Sequence, residues 1–233
     1  AYATNSVGTA YGAQVSFTTA APSYVAGSVH CSGSGATIVE VTNPITGRTW
    51  MDRNLGASRV ATSSTDAEAF GDLFQWGRGA DGHQCRNSAT TGTLSSSDQP
   101  GNSSFIMNGS TPFDWRSTQN NSLWQGLSGT NNPCPTGFRL PTQAELEAER
   151  ASWSSNTASG AFSSPLKWTQ GGLRSFSHAG IGFVNSYGCY WSSTISDSDP
   201  RRMNFLRIES GAGTGMGTDW RANGFSVRCI KHQ

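Results

Sequence analysis

The residues of this chain that could do chemistry are few and widely spaced. His30, His83, His178 and His232 show no metal-ligand spacing such as H-x-x-x-H, so they read as surface or hydrogen-bonded side chains. Glu145, Glu147 and Glu149 fall on one short stretch, where capping and solvation account for them. A glycosidase needs two carboxylates facing each other at roughly 5–10 Å, and nothing here places such a pair. The run Gly211-Ala212-Gly213-Thr214-Gly215-Met216-Gly217 lacks the Lys-Ser/Thr ending and the strand–helix setting of a phosphate loop, and reads as turn-forming filler. Cys31, Cys85, Cys134, Cys189 and Cys229 include no C-x-x-C pair, which argues against zinc or a thioredoxin-like site. In a secreted chain an odd count allows at most two bridges and one spare thiol.

Recognition chemistry is better represented than catalytic chemistry. Two turn-rich segments near the C-terminus, residues 195–202 and 209–223, concentrate Asp, Asn, Arg and Trp. The residues expected to bind a ligand are Asp197, Asp199, Arg201, Arg202 and Asn204, with Asp219, Trp220, Arg221 and Asn223. Such a mix hydrogen-bonds adaptably and supplies one aromatic anchor. The alternative is a pair of solvated loops without a partner.

Composition sets the class. The chain has 233 residues, 35% hydrophobic and 13% charged. Average globular chains carry about 25% charged residues. Ser, Thr, Asn and 28 Gly fill the difference, so a loop-rich body with polar, uncharged surfaces is expected. Eight Trp and eleven Phe still supply a core. A formal net charge of +1 gives no field for nucleic acid or an anionic membrane. No apolar run approaches the roughly 18 residues of a membrane span. The chain begins with Ala, which we read as a mature or cleaved product.

The elements follow from local signals. Thr142 with Glu145 three residues on is a capping box that starts a helix, and Leu146 and Trp153, seven apart, share its inner face. Pro141 ends a short strand through Phe138 and Leu140. A second helix is expected over residues 63–78, with Thr65 and Glu68 as its capping box and Ala69, Leu73 and Trp76 at helical spacing. Asn43-Pro44-Ile45-Thr46-Gly47 turns between two strands. Residues 80–133 form a long polar excursion anchored by Phe105, Ile106, Phe113, Trp115, Leu123 and Trp124. Strands are expected at 190–194, 204–208 and 225–230, with loops between them. Asn102, Asn108 and Asn120 fit the glycan acceptor pattern, though modification is not expected. At the N-terminus Tyr11, Val15 and Phe17 alternate with polar residues, which is strand patterning.

Four stretches carry a resemblance. Phe138-Arg139-Leu140-Pro141-Thr142-x-x-Glu145 resembles the signature of the formylglycine-generating-enzyme branch of the C-type lectin fold. With Cys134-Pro135 in front, it is similar to the Fibrobacter succinogenes major paralogous domain, which recurs in surface proteins of Bacteroidetes-type bacteria. Gly47-Arg48-Thr49-Trp50-Met51-Asp52-Arg53-Asn54-Leu55, Gly188-Cys189-Tyr190-Trp191-Ser192-Ser193-Thr194 and Gly224-Phe225-Ser226-Val227-Arg228-Cys229 match the same pattern. Residues 1–20 resemble the terminal hairpin of a fibronectin type III domain, and residues 21–24 read as a linker.

The resemblance implies an α+β, C-type lectin-like fold over residues 25–233, with two main helices, a small mixed or antiparallel sheet and extensive ordered loops. It implies a Cys134–Cys229 disulfide; a bridge between Cys31 and Cys85 is a further, separate expectation, with Cys189 left over. It implies an extracellular or cell-surface protein that recognises a glycan or protein through its C-terminal loops, a surface that resembles the display face of lectin-fold proteins diversified by retroelements. The enzyme branch oxidises a substrate cysteine with a pair of active-site cysteines, and that paired motif is absent, so no enzyme is expected. Asp197, Asp199 and Asp219 offer oxygens for calcium, but no calcium-loop spacing is present and the sugar-binding tripeptides Glu-Pro-Asn and Gln-Pro-Asp do not occur. No other cofactor is expected. The competing expectation is a fibre subunit, in which Tyr11, Val15 and Phe17 pair with other copies by strand addition.

Overall fold

The computed structural model describes residues 2–11, 31, 38–211 and 213–233. It is a mixed α+β structure, 26% strand and 9% helical, with several antiparallel sheets. Three sheets organise it. The longest strands form a three-stranded meander of Tyr187–Ile195, Arg202–Glu209 and Gly215–Trp220. A corner sheet runs in the order Glu40–Thr42, Thr49–Met51, Ile230–Lys231, Phe138–Arg139. A third sheet runs Ile181–Gly182, Leu173–Arg174, Gly224–Phe225, Phe74–Gln75.

The corner helix forms as its sequence dictates. Thr142 caps Gln143–Ala151, its hydroxyl accepting from Glu145 N while Glu145 accepts from Thr142 N, so the capping box is complete. Leu146 and Trp153 are both buried in one cluster with Trp50, Trp168 and Tyr190. The turn at residues 43–47 joins Glu40–Thr42 to Thr49–Met51 as an antiparallel pair. The long excursion is ordered against the body, with Phe105, Ile106, Trp115, Leu123 and Trp124 buried.

The four motif stretches converge. Cys134 and Cys229 form a disulfide. Met51 N donates to Cys229 O at 3.0 Å and Leu55 N to Val227 O at 2.9 Å. Trp191 N donates to Ser226 O at 3.1 Å, and Ser193 N to Pro141 O at 2.8 Å. Arg228, buried, donates to Asn54 Oδ1 at 2.9 Å and to Leu166 O at 2.7 Å. A second disulfide joins Cys31 to Cys85, and Cys189 is a buried free thiol.

Several expectations need correction. The helix over residues 63–78 does not form; only Ala67–Ala69 makes a single 3₁₀ turn, capped by Asp66 rather than Thr65. Asn54 takes the carbonyls of Ala69 and Phe70, and Gly71 turns left-handed at φ 68°, with Leu55 O where a Cβ would stand. Its apolar residues are still buried, and Phe74–Gln75 is a strand. The second helix is instead Ala158–Ser163, capped by Thr157. Residues 209–223 are not all loop, because Gly215–Trp220 is an edge strand. Glycine hides its alternation, and Gly217 is needed where the Phe205 ring stands 2.9 Å from the position of a Cβ. The expected last strand splits into Gly224–Phe225 and Ile230–Lys231, which serve different sheets. At the N-terminus Tyr2–Asn5 pairs with Gly8–Tyr11, so Tyr11 ends a strand, while Val15 and Phe17 lie outside the described residues.

Glu149 is not solvated. It is fully buried and accepts from Asn43 Nδ2 at 2.6 Å, Trp153 Nε1 at 3.1 Å and Trp168 Nε1 at 3.3 Å. It thereby ties the corner helix to the first turn and to both indoles. Leaving such donors unpaired costs about 1–3 kcal/mol per group. Glu149→Ala is therefore expected to lose about 3 kcal/mol or more in urea unfolding, whereas Glu147→Ala, at a side chain open to solvent and paired only with half-buried Arg150, is expected to stay within about 0.5 kcal/mol.

Candidate functional site

Seven of the eight tryptophans are buried and one, Trp220, is half-exposed. It ends the edge strand Gly215–Trp220 and opens onto a cleft of about 370 Å³. Phe113 stacks on its ring, centroids 4.3 Å apart and planes at 23°. The Arg202 guanidinium lies 4.0 Å from the same ring centre, and Arg201 lies 5.5 Å away. Trp220 is thus a fixed wall, already engaged by the protein.

The cleft has two unlike sides. Arg202, Asp219, Trp220 and Asn223 form the polar side. Leu173, Phe176, Ile181 and Phe183 form the apolar side, with His178 at its edge. Asp219 Oδ1 accepts from Trp220 N at 2.7 Å, and burial raises its carboxyl above the ordinary range. Asn223 Oδ1 accepts from Phe176 N at 2.9 Å, which joins the two sides. His178 Nδ1 accepts from Gly180 N at 3.1 Å, so the neutral ring carries its proton on Nε2.

The apolar side belongs to a strained hairpin. Ala179, Phe183 and Asn185 all have left-handed backbones, at φ 54°, 59° and 65°. Such residues cost on the order of 1–3 kcal/mol each and persist where surrounding structure holds them. Buried Arg174 does part of that holding: its Nε donates to Ala179 O at 3.0 Å and its Nη2 to Ser88 O at 2.8 Å. Phe183 is 56% exposed and stacks on Tyr187 at 4.6 Å. Sequence reading missed this hairpin; its signal was the apolar run Ile181-Gly182-Phe183-Val184 in a stretch otherwise rich in Ser and Gly.

The other expected binding residues lie elsewhere. Asn204 is buried and donates to Ile195 O at 3.0 Å. Arg221 is buried over Trp76, donating to Asn120 O at 3.1 Å and Asn121 Oδ1 at 2.5 Å, with Asp114 3.9 Å away. Asp199 and Arg201 pair with each other at 2.8 Å, and the Arg201 guanidinium holds the Asp199 carboxyl at about 2. Asp197 is exposed. Among the described residues no group of three His, Cys, Asp or Glu gathers as a metal site, so Asp197, Asp199 and Asp219 do not come together for calcium. His83, fully buried, has both ring nitrogens engaged: Nδ1 pairs with Asp81 Oδ1 at 2.7 Å, and Nε2 accepts from Gln75 N at 3.0 Å. Burial lowers its pKa to about 4.

No family model, no curated protein and no solved structure matches this chain.

Two measurements follow from the buried groups. Burial raises Asp72 to about 7 and Asp114 to about 6. Unfolded, both titrate near 3.9, so between about pH 4 and 7 these two carboxyls bind more protons native than unfolded; His83, lowered to about 4, opposes them with a single proton, and stability falls as pH rises. Urea unfolding is expected to show lower stability at pH 8 than at pH 5, and Asp114→Asn to flatten that slope. Burial also pushes the Cys189 thiol far up, so native protein is expected to resist iodoacetamide at pH 8 and to take up one equivalent when unfolded without reductant.

Proposed function

We propose that this chain is an extracellular or cell-surface recognition and adhesion module, built on a C-type lectin-like domain akin to the major paralogous domain and acting without catalysis. The observation that carries the reading is the cleft beside Trp220, which sets hydrogen-bonding groups on a rigid strand end against an exposed apolar hairpin. Ligand sites of this kind are concave, partly apolar and lined by a few placed polar groups. The ligand is a glycan or a protein segment, taken by Arg202, Asp219, Trp220 and Asn223 together with Ile181 and Phe183. The convergence of the four motif stretches on the Cys134–Cys229 bridge supports the family resemblance. Two disulfides fit an oxidising, extracellular compartment, and among the described residues no helix is long and apolar enough to cross a membrane. Against the oxidase reading, Cys229 is committed to a disulfide and Cys189 is buried.

A second reading, the fibre subunit, draws on the terminal hairpin. Tyr2–Asn5 and Gly8–Tyr11 form a two-stranded sheet that joins no other described strand. A lone hairpin is marginal in water, and strand addition would complete it. A monodisperse monomer by size exclusion, with residues 1–19 open to protease, would remove that reading.

Glycan and protein arrays test the main reading. Wild-type protein is expected to bind at least one ligand class, with Trp220→Ala and Phe183→Ala each weakening binding at least ten-fold and EDTA leaving it unchanged. Binding that survives both substitutions would place the site elsewhere.

A further inference from the structure

The cleft holds a guanidinium that joins no direct ion pair among the described residues, although the carboxylates of Asp199 and Asp219 feel its charge through space. Among the described residues the Arg202 guanidinium donates one hydrogen bond, from Nη1 to Thr218 O at 3.3 Å, and forms no ion pair. Its neighbour Arg201 is paired with Asp199, and Arg207, at the far end of the same strand, is paired with Glu209 at 3.0 Å. The carboxylate that lines the cleft, Asp219, takes its hydrogen bonds from the Trp220 backbone and the Asn223 side chain, and acts on Arg202 only through space. Arg202 is nonetheless held in place, stacked on a ring that Phe113 stacks in turn.

We propose that the cleft takes the carboxylate of an acidic saccharide, with Arg202 as the group that receives it. This rests on the recognition reading above and names its ligand. A guanidinium matches a carboxylate with two parallel N–H···O bonds, and stacking on an aromatic fixes its plane without satisfying its donors. With Nδ1 engaged by Gly180, His178 offers an Nε2–H donor on the opposite rim. The exposed Ile181 and Phe183 suit the C–H face of a sugar ring. Size favours a saccharide over a protein face. The cleft, about 370 Å³, falls at the small end of the roughly 300–1,000 Å³ typical of small-ligand sites, whereas protein interfaces bury about 800 Å² per partner.

The test pairs two ligands that differ at the carboxylate alone: a uronic-acid-terminated disaccharide and its carboxyl-reduced neutral twin. Binding is read by calorimetry and by the Trp220 indole N–H shift in NMR. The acid is expected to bind at least ten-fold tighter. Arg202→Gln is expected to remove that preference with an unchanged circular dichroism spectrum, and Arg207→Gln to keep it. Because the two ligands are compared on wild-type protein, a misfolded variant leaves the test intact. Equal affinity for acid and neutral twin would overturn the inference while the recognition reading stands. So would tighter binding of an acidic peptide than of the acidic disaccharide. Failure of every saccharide and every protein probe on the arrays would overturn both.

Discussion

The constraint on which this structure depends is the need to satisfy buried backbone that belongs to no regular element. With 9% helix and 26% strand, much of the interior is irregular chain, and each buried carbonyl there needs a donor. Side chains supply them. Trp76 Nε1 donates to Ser192 O, Trp115 Nε1 to Trp76 O, Trp124 Nε1 to Asn131 O and Trp191 Nε1 to Phe74 O, at 2.7–2.9 Å. Arg78 holds Asn102 O and Ser104 O; Gln75 holds Ile106 O and Ala222 O. The aromatic-rich, charge-poor composition thereby has a mechanical meaning. An indole fills the core and caps a loop at once, and a buried arginine gathers several carbonyls that no ladder would reach.

That economy explains why the Cys134–Cys229 bridge sits where it does. It closes a stretch of 95 residues and fixes the strand Phe138–Arg139 against Ile230–Lys231. From that junction the chain leads in one direction into the capped corner helix and in the other back through Val227 and Ser226 to the meander. Constraining a loop this long removes much of the unfolded chain's freedom, worth about 4–5 kcal/mol in the chain-entropy account.

What the sequence disclosed follows the same logic. The corner helix was legible because its signals are local: Thr142 and Glu145 cap each other whatever surrounds them. The helix expected over residues 63–78 was misread because its apolar spacing is real but its carbonyls are claimed by Asn54, more than a dozen residues upstream. Glu149 looked solvated for a similar reason, since Asn43 and Trp168 reach it through the fold, and only Trp153, four residues on, reaches it through spacing. At the candidate site Arg202, Asp219, Trp220 and Asn223 were visible as a rare mix of polar and aromatic types. The apolar wall was not, because Ile181 and Phe183 resemble core residues until the hairpin leaves them outside.

The hairpin's strain and its exposure belong together. A Phe in the left-handed region is unfavourable, and so is a Phe more than half in water. Core packing does not offset the second cost, and a relaxed loop would avoid the first. Both persist because Arg174, Gln170 and Asn223 grip the hairpin from beneath: Arg174 at Ala179 O, Gln170 O at Asn185 N, and Asn223 at Phe176 N. Arg174 stands in Leu173–Arg174 and Asn223 beside Gly224–Phe225, neighbouring strands of the sheet whose edge is Phe74–Gln75, so the hairpin is fastened to a sheet that buries core residues. A surface held in an unfavourable conformation by a rigid base loses little further freedom when a ligand arrives, which is the physical condition for selective binding by a small cleft.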